Sequence, residues 1–324
     1  MKILLVRLSS MGDLIHTLPA VEDLSKNRSD IELHWLCETG FSDIARLHPF
    51  VKKIHEMGWR KWRKHLGKSE TWHEIGRLKT RLDQERFDFV LDSQSLIKSA
   101  IFAKMANAPV FGLDRQSARE PLASLCYREK FNVPKGKNAV WRNRELFAQV
   151  FGYQMPSEMN FGLNVPNEGY LNGLPAQYFV ALHATSRDSK LWPLENWLAL
   201  LQKLYEDTGN LIYLPWGNDT ERQRAEEIAA KFPFAKVCGR MNLLQAAYLL
   251  DNACGVVGVD TGLLHLANAF DKPLVGIYTD TDPVKTGVQP SKWAVNLGNI
   301  GQIPRVDEVF EQLKKSIAVK NGTV

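Results

Sequence analysis

Long apolar runs are missing from this sequence. No stretch approaches the ~18 consecutive apolar residues of a membrane-spanning helix, so no segment reads as one. Cysteine is scarce: Cys37, Cys126, Cys238 and Cys254 form no C-x-x-C pair and no metal-ligand spacing, which excludes a disulfide scaffold and fits a reducing compartment. The phosphate-binding glycine patterns G-x-G-x-x-G and G-x-x-x-x-G-K-[ST] are absent, as is the G-x-S-x-G elbow of serine hydrolases. The eight histidines include no H-E-x-x-H. Only four consecutive apolar residues, Ile3 to Val6, precede Arg7, whereas a secretory core needs about 7 to 15. The N-terminus therefore reads as a first β-strand, and a cytoplasmic protein is expected.

What is present is ordinary globular composition. With 44% hydrophobic and 24% charged residues, a disordered, collagenous or coiled-coil chain is excluded. The 324 residues suffice for roughly two domains. The net charge of +5 permits an anionic partner without requiring one.

Short apolar runs alternate with longer amphipathic stretches. Ile3–Leu8, Ile31–Cys37, Val51–His55, Phe87–Asp92 and Val110–Leu113 form one set of expected strands. Tyr178–His183, Leu211–Leu214, Ala235–Val237, Gly255–Val259 and Leu274–Tyr278 form a second. Helices are expected between them, at Trp72–Gln84, Leu96–Ala106, Leu194–Thr208, Glu221–Phe232 and Val306–Val319. Such alternation predicts α/β architecture with parallel, doubly wound sheets. It breaks once, over the Pro- and Gly-rich stretch Gly152–Gln177. The expected division is 1–155 for an N-terminal domain, 156–176 for a linker and 177–324 for a C-terminal domain.

In open α/β sheets ligands bind beyond the carboxyl ends of strands, so strand ends carry the candidate chemistry. The first ends in Ser9-Ser10-Met11-Gly12-Asp13. Gly12 permits close approach, and Asp13 reads either as a helix N-cap or as a general base. Gly255–Val259 ends in Asp260-Thr261-Gly262-Leu263-Leu264-His265, a strand–turn–helix whose amide end suits an anion. His265 follows one helical turn later. Tyr178–His183 leads into Thr185, Ser186 and Lys190, two hydroxyls and a cation. Asp280-Thr281-Asp282 permits a metal but reads mainly as a turn. Between Lys52 and Arg86, eleven Lys/Arg face five Asp/Glu, centred on Trp59-Arg60-Lys61-Trp62-Arg63-Lys64. That block reads as a solvated face or as an anion-binding arm. No nucleic-acid motif accompanies it, and the missing glycine fingerprint disfavours a nicotinamide-dependent oxidoreductase.

Ser9-Ser10-Met11-Gly12-Asp13 with His16-Thr17-Leu18-Pro19-Ala20 resembles the opening of bacterial lipopolysaccharide heptosyltransferases. Arg119-Glu120-Pro121-Leu122-Ala123-Ser124-Leu125, His183-Ala184-Thr185, Leu214-Pro215-Trp216-Gly217 and Asp260-Thr261-Gly262-Leu263-Leu264-His265 extend the resemblance over nearly the whole chain. The Arg-Glu-Pro-Leu-Ala-Ser-Leu string and the Trp-Arg-Lys arm are most similar to members that add the first heptose. The alternative is a member that adds a heptose to an already heptosylated core.

The resemblance implies a GT-B fold, with two Rossmann-like domains facing across a cleft and the last helix able to pack back on the N-terminal one. It implies inverting, metal-independent transfer of L-glycero-D-manno-heptose from ADP-heptose to the first Kdo of Kdo2-lipid A. ADP-heptose is then a substrate, and no cofactor is required. Asp13 would be the catalytic base. Thr185, Ser186, Lys190, Asp260, Thr261, Gly262 and His265 would serve the donor, with Glu221 and Met241 at ribose and adenine. Ser10, Gly12, Arg60, Arg63 and Arg119 would serve the anionic acceptor. Peripheral association with the cytoplasmic face of the inner membrane would follow, with no nucleic-acid partner.

Overall fold

The computed structural model describes residues 1–166, 171 and 173–323. The middle of the expected linker, 167–170 and 172, lies outside the described residues. The chain forms two units, Met1–Asn164 and Val165–Val324.

In the first unit, β1 (Lys2–Val6), β2 (Glu32–Glu38), β3 (Val51–Met57), β4 (Phe89–Asp92), β5 (Val110–Leu113) and β6 (Glu129–Phe131) form a parallel sheet in the order β3-β2-β1-β4-β5-β6. The helices are α1 (Met11–Ile15), α2 (Leu18–Asn27), α3 (Ser42–Arg46), α4 (Trp59–Trp62), α5 (Ser69–Gln84), α6 (Ile97–Lys104) and α7 (Ala139–Phe151). The central strand reads Lys-Ile-Leu-Leu-Val because helices cover both its faces, and Ile3, Leu4, Leu5 and Val6 are fully buried. Each such aliphatic side chain stabilises the fold by about 1.5–3 kcal/mol. Asn138 caps α7 by accepting from the Trp141 N–H, and Gly152 ends it in the left-handed conformation.

The second unit repeats the plan. Its strands are β7 (Tyr178–Leu182), β8 (Leu211–Leu214), β9 (Ala235–Val237), β10 (Gly255–Val259), β11 (Leu274–Tyr278) and β12 (Ala294–Gly298). They are parallel in the order β12-β11-β10-β7-β8-β9, the same winding as the first sheet. The helices are α8 (Leu194–Thr208), α9 (Asp219–Ala229), α10 (Leu243–Asp251), α11 (Gly262–Ala269), α12 (Pro283–Thr286) and α13 (Val306–Lys320). Helix α13 packs against α8 and against β10, β11 and β12. A Cβ on Gly258 would lie 2.7 Å from the Leu182 Cβ and 3.1 Å from Leu264. Glycine there lets α11 press onto the sheet, which fixes its first turn at the strand ends.

Two strands were not foreseen. Glu-Lys-Phe in β6 has only three residues, Ala-Val-Asn-Leu-Gly in β12 carries Asn and Gly, which are depleted in strands, and both lie at sheet edges where one neighbour suffices. Helix α5 also starts three residues before the expected Trp72, at Ser69.

Candidate active site

Each strand order reverses between its first and fourth strands, the place where such folds bind ligands. In the first unit that point lies between the loops after β1 and β4. Gln94 ties them together: its Oε1 accepts from the Leu8 N–H at 2.7 Å and its Nε2 donates to the Ser9 carbonyl at 3.0 Å. Asp92, fully buried at the end of β4, accepts from the Gln94 and Ser95 amides, Ser99 Oγ and Tyr127 OH. Burial raises its pKa despite those donors.

Asp13 is not the N-cap. Ser10 occupies that position, and Asp13 sits in the first turn of α1, where its Oδ2 accepts from the Ser10 N–H at 2.8 Å and Oγ at 3.0 Å. Burial alone would raise the Asp13 pKa. The Arg7 charge, the two Ser10 hydrogen bonds and the Arg119 charge outweigh it, and the net shift is downward. The carboxylate is thus ionised at neutral pH and able to accept a proton.

Asp13 and Arg119 line one cavity of about 460 Å³ with Arg7, Ser93, Gln94, Lys135, Arg142 and Asn143. Arg7 is 7% exposed. It donates to Thr17 Oγ1 at 3.0 Å, the Ser93 carbonyl at 2.9 Å and Asn143 Oδ1 at 2.8 Å, all neutral acceptors. Burial lowers its pKa, opposed by Asp13 and Asp92. Arg142 donates to the Ser117 carbonyl at 2.6 Å, while its Nε is buried with no partner among the described residues. Four cations around one carboxylate leave a positive site suited to an anionic ligand. Arg7, Gln94, Lys135, Arg142 and Asn143 were missed in the sequence. Arg7 interrupts the apolar run at its carboxyl end, and the Asp92–Ser95 string follows an expected strand, so two signals were there.

Ser10 and Gly12 sit at the start of α1 beside Asp13. Arg60 and Arg63 are not among the residues lining that cavity. They lie at α4 and its C-terminus, after β3, and converge with Lys98 on the buried Glu38 carboxyl. Arg60 also lies over the Phe41 ring, 4.7 Å from its centroid. Trp59 and Trp62 of the same helix pack on Phe102, so the aromatics of the arm are structural.

In the second unit Asp260 organises the switch point. Its Oδ2 accepts from Lys190 Nζ at 2.6 Å and Thr281 Oγ1 at 2.9 Å, and its carbonyl accepts from Thr185 Oγ1 at 2.7 Å. Thr261 is the N-cap of α11, but its side chain makes no capping hydrogen bond. His265 is buried in α11. Ser186 is exposed. Glu221 accepts from the Gly217 N–H at 2.7 Å and from Asn218 Nδ2 at 2.9 Å at the start of α9. There Trp216, Gly217, Asn218, Arg222, Gly239 and Arg240 line a cavity of about 760 Å³, next in sequence to Met241. Asp280 accepts from Ser189 Oγ at 2.6 Å and Asp282 caps α12, so both serve the turn.

The clustered metal-type ligands among the described residues lie elsewhere. His34 Nδ1 is 3.1 Å from His55 Nε2, with Glu85 beside them, on β2, β3 and after α5. Glu32 accepts at His34 Nε2, and Glu85 pairs with Lys2 and Lys53, so the group closes on itself as a hydrogen-bond network.

Comparison with known proteins adds an independent line. Residues 75–315 match Glycosyltransferase family 9 (heptosyltransferase). Lipopolysaccharide heptosyltransferase 1 of Escherichia coli (strain K12) is 40% identical over 287 residues, covering 87% of this chain and 89% of that protein. Among solved structures, E. coli heptosyltransferase WaaC with ADP superposes with a TM-score of 0.87 at 37% identity, covering 100% of this chain and 99% of the other. The same enzyme with ADP-2-deoxy-2-fluoro heptose gives 0.85 at 36%, covering 99% and 100%. A match of this extent, on a chain wound twice in the Rossmann order, makes it a member of glycosyltransferase family 9, the heptosyltransferases.

Proposed function

We propose that this chain moves L-glycero-D-manno-heptose from ADP-heptose to the first Kdo of Kdo2-lipid A, with inversion at C1. The carrying observation is an ionised Asp13 in a cavity that holds Arg7, Arg119, Lys135 and Arg142. Kdo is a carboxylate sugar, and the cavity's positive charge matches it. Asp13 takes the proton from the acceptor hydroxyl as that oxygen bonds to C1. The bond from C1 to the diphosphate oxygen breaks, and its electron pair leaves with ADP.

The arginines set the timing. With the cavity empty they hold Asp13 down, making it a weak base. An acceptor carboxylate offsets Arg7 and Arg119 and moves the Asp13 pKa back toward neutrality, where a general base works best. On the donor side, Lys190 and the first amides of α11 supply positive potential for the departing diphosphate, with Ser186 as a hydrogen-bond donor and Thr185 joining it by turning its hydroxyl from the Asp260 carbonyl. Asp260 acts through Lys190, whose ammonium it orients. This set needs no divalent ion. The acceptor's lipid anchor places the reaction at the inner leaflet.

The test is transfer to Kdo2-lipid A against transfer to a heptosylated acceptor, each with and without EDTA. Preference for Kdo2-lipid A, kept in EDTA, is expected. Preference for the heptosylated acceptor would move the chain to the second-heptose reaction. Loss in EDTA restored by Mg²⁺ would make Asp280 and Asp282 metal ligands.

A further inference from the structure

Four large aliphatic side chains stand in solvent on one face of the first unit. Ile97 and Ile101 of α6 are 43% and 54% exposed, and Leu122 and Leu125 of the 3-10 turn Pro121–Cys126 are 58% and 73% exposed. Their spacing is a design of the two elements. Residues four apart share a face of an α-helix, and residues three apart eclipse in a 3-10 helix. The elements are fastened to each other. The Ile97 N–H donates to Glu120 Oε2 at 2.7 Å, the Glu120 N–H donates to the Ser95 carbonyl at 3.0 Å, and Ala123 joins Ala100, Phe102 and Ala103 in the core. Burying Ala123 turns Leu122 and Leu125 outward.

The rim of this face is cationic. Lys98, next to Ile97, lies with Arg60 and Arg63. Arg119, three residues before Leu122, lines the Asp13 cavity. From Ile97 to Lys130 six Lys/Arg face three Asp/Glu. The acids that face the cluster are Glu38 and Glu120.

The geometry points to this face as the membrane-docking surface: Ile97, Ile101, Leu122 and Leu125 enter the headgroup–acyl boundary of a bilayer while Lys98, Arg60, Arg63 and Arg119 meet its anionic headgroups. Scattered exposed leucines need no explanation, but four on two fastened elements do. Aliphatics rimmed by cations fit an anionic bilayer, which binds through buried apolar area plus charge. A second copy of this chain fits less well, because a two-fold contact through this face would set its cations against themselves. The assignment rests on the lipid-acceptor reading above and deepens it: the docked face is continuous with the acceptor cavity through Arg119.

The test is co-sedimentation with phosphatidylethanolamine/phosphatidylglycerol vesicles, comparing the full chain with Ile97→Ser/Ile101→Ser/Leu122→Ser/Leu125→Ser. All four side chains are solvent-exposed, and an unchanged thermal melt verifies folding. The variant should partition at least tenfold more weakly. It should keep transfer to a deacylated, water-soluble Kdo acceptor within about twofold. Unchanged partitioning overturns the assignment. So does a concentration-dependent dimer of the parent chain that the variant abolishes, which would give the face to a second copy. If neither protein glycosylates the soluble acceptor, the proposed reaction fails while the vesicle result still decides the docking surface.

Discussion

Two sheets with one strand order place their first and fourth strand ends at the same switch point, yet the chemistry there is opposite. In the first unit the buried cation, Arg7, spends its donors on neutral oxygens, and the carboxylate, Asp13, stays in the cavity. In the second unit cation and carboxylate are joined: Lys190 sits 2.6 Å from Asp260, with side chains 12% and 9% exposed. The first arrangement keeps an excess of positive charge around one ionised carboxylate, suited to an anion and to the proposed base. The second neutralises its cation until a stronger anion competes for it. In the proposed reaction one fold thus serves an acceptor that must be deprotonated and a leaving group that must be stabilised. The difference lies in loops and not in the sheets.

The sharpest way to break the comparison is to remove the free carboxylate. Asp13→Asn keeps the shape and can still accept from the Ser10 N–H, but it takes no proton. General-base catalysis is worth about 10²–10⁴-fold, and kcat should fall by that factor. Donor affinity, measured by titration with ADP-heptose, should stay within about twofold. Near-normal kcat would reduce Asp13 to a partner of the Ser10 cap.

In the second unit the prediction runs through the pair. Lys190→Ala removes the proposed diphosphate contact and also strands Asp260. Breaking a buried pair costs about 3–5 kcal/mol, and somewhat less here because the pair keeps some contact with water. Lys190→Ala/Asp260→Asn should regain most of the lost stability in urea unfolding and none of the lost donor affinity. Recovery of both would show that Lys190 matters only as the partner of Asp260.

Acid should act on both units, and more on the first, where burial also lowers His48 to about 4. His55 in the first and His183 in the second are both buried, and burial is the main cause that pulls each pKa down to about 4. His34, Lys53 and Arg81 add to the effect at His55 and Glu85 opposes it; Arg224 adds to it at His183. These groups bind protons more weakly folded than unfolded. Their contribution is therefore complete above the unfolded value of about 6.5 and is lost as pH falls from there toward 4. About 3 kcal/mol per histidine is at stake, from a fall of 6.5 to about 4 at 1.36 kcal/mol per pKa unit. Chemical denaturation at pH 7, 5.5 and 4.5 measures it, with His55→Gln and His183→Gln flattening the slope. A flat profile in the parent protein would remove both histidines from the account.

The architecture was largely legible because apolar runs such as Ile3–Leu8 and Gly255–Val259 carry their own signal: a strand covered on both faces must be apolar throughout. Asp13 and Asp260 were legible as strand-end residues for the same reason. What surrounds Asp13 was legible only in part. Arg119 was named through the resemblance alone; Lys135 and Arg142, more than a hundred residues from Asp13, were not, because local pattern says nothing about which distant loops converge. The Lys190–Asp260 pair was hidden likewise: both residues were visible as donor candidates, but not that one holds the other. The 3-10 turn at Pro121–Cys126 was seen only as part of a resemblance, since its outward leucines gain meaning once Ala123 is known to be buried.

The smallest effect should come from the arm that the sequence made most conspicuous. Arg60 and Arg63 lie outside the Asp13 cavity, after the edge strand β3, and share the Glu38 charge with Lys98. Part of their field is already spent on that carboxylate, and the rest is exposed to screening by salt. Arg60→Ala/Arg63→Ala should therefore raise the KM for Kdo2-lipid A by about 1 kcal/mol per residue or less. It should leave ADP-heptose affinity within about twofold and make acceptor binding less salt-dependent. Because Arg60 and Arg63 lie outside the Asp13 cavity, the docking proposal puts them at headgroups and not on the sugar, so a deacylated acceptor should show a smaller loss than the lipid. An equal loss on both acceptors would move the arginines from the membrane rim to the Kdo site. An equal loss for donor and acceptor would mean that α4 supports the whole unit, as the packing of Trp59 and Trp62 on Phe102 allows.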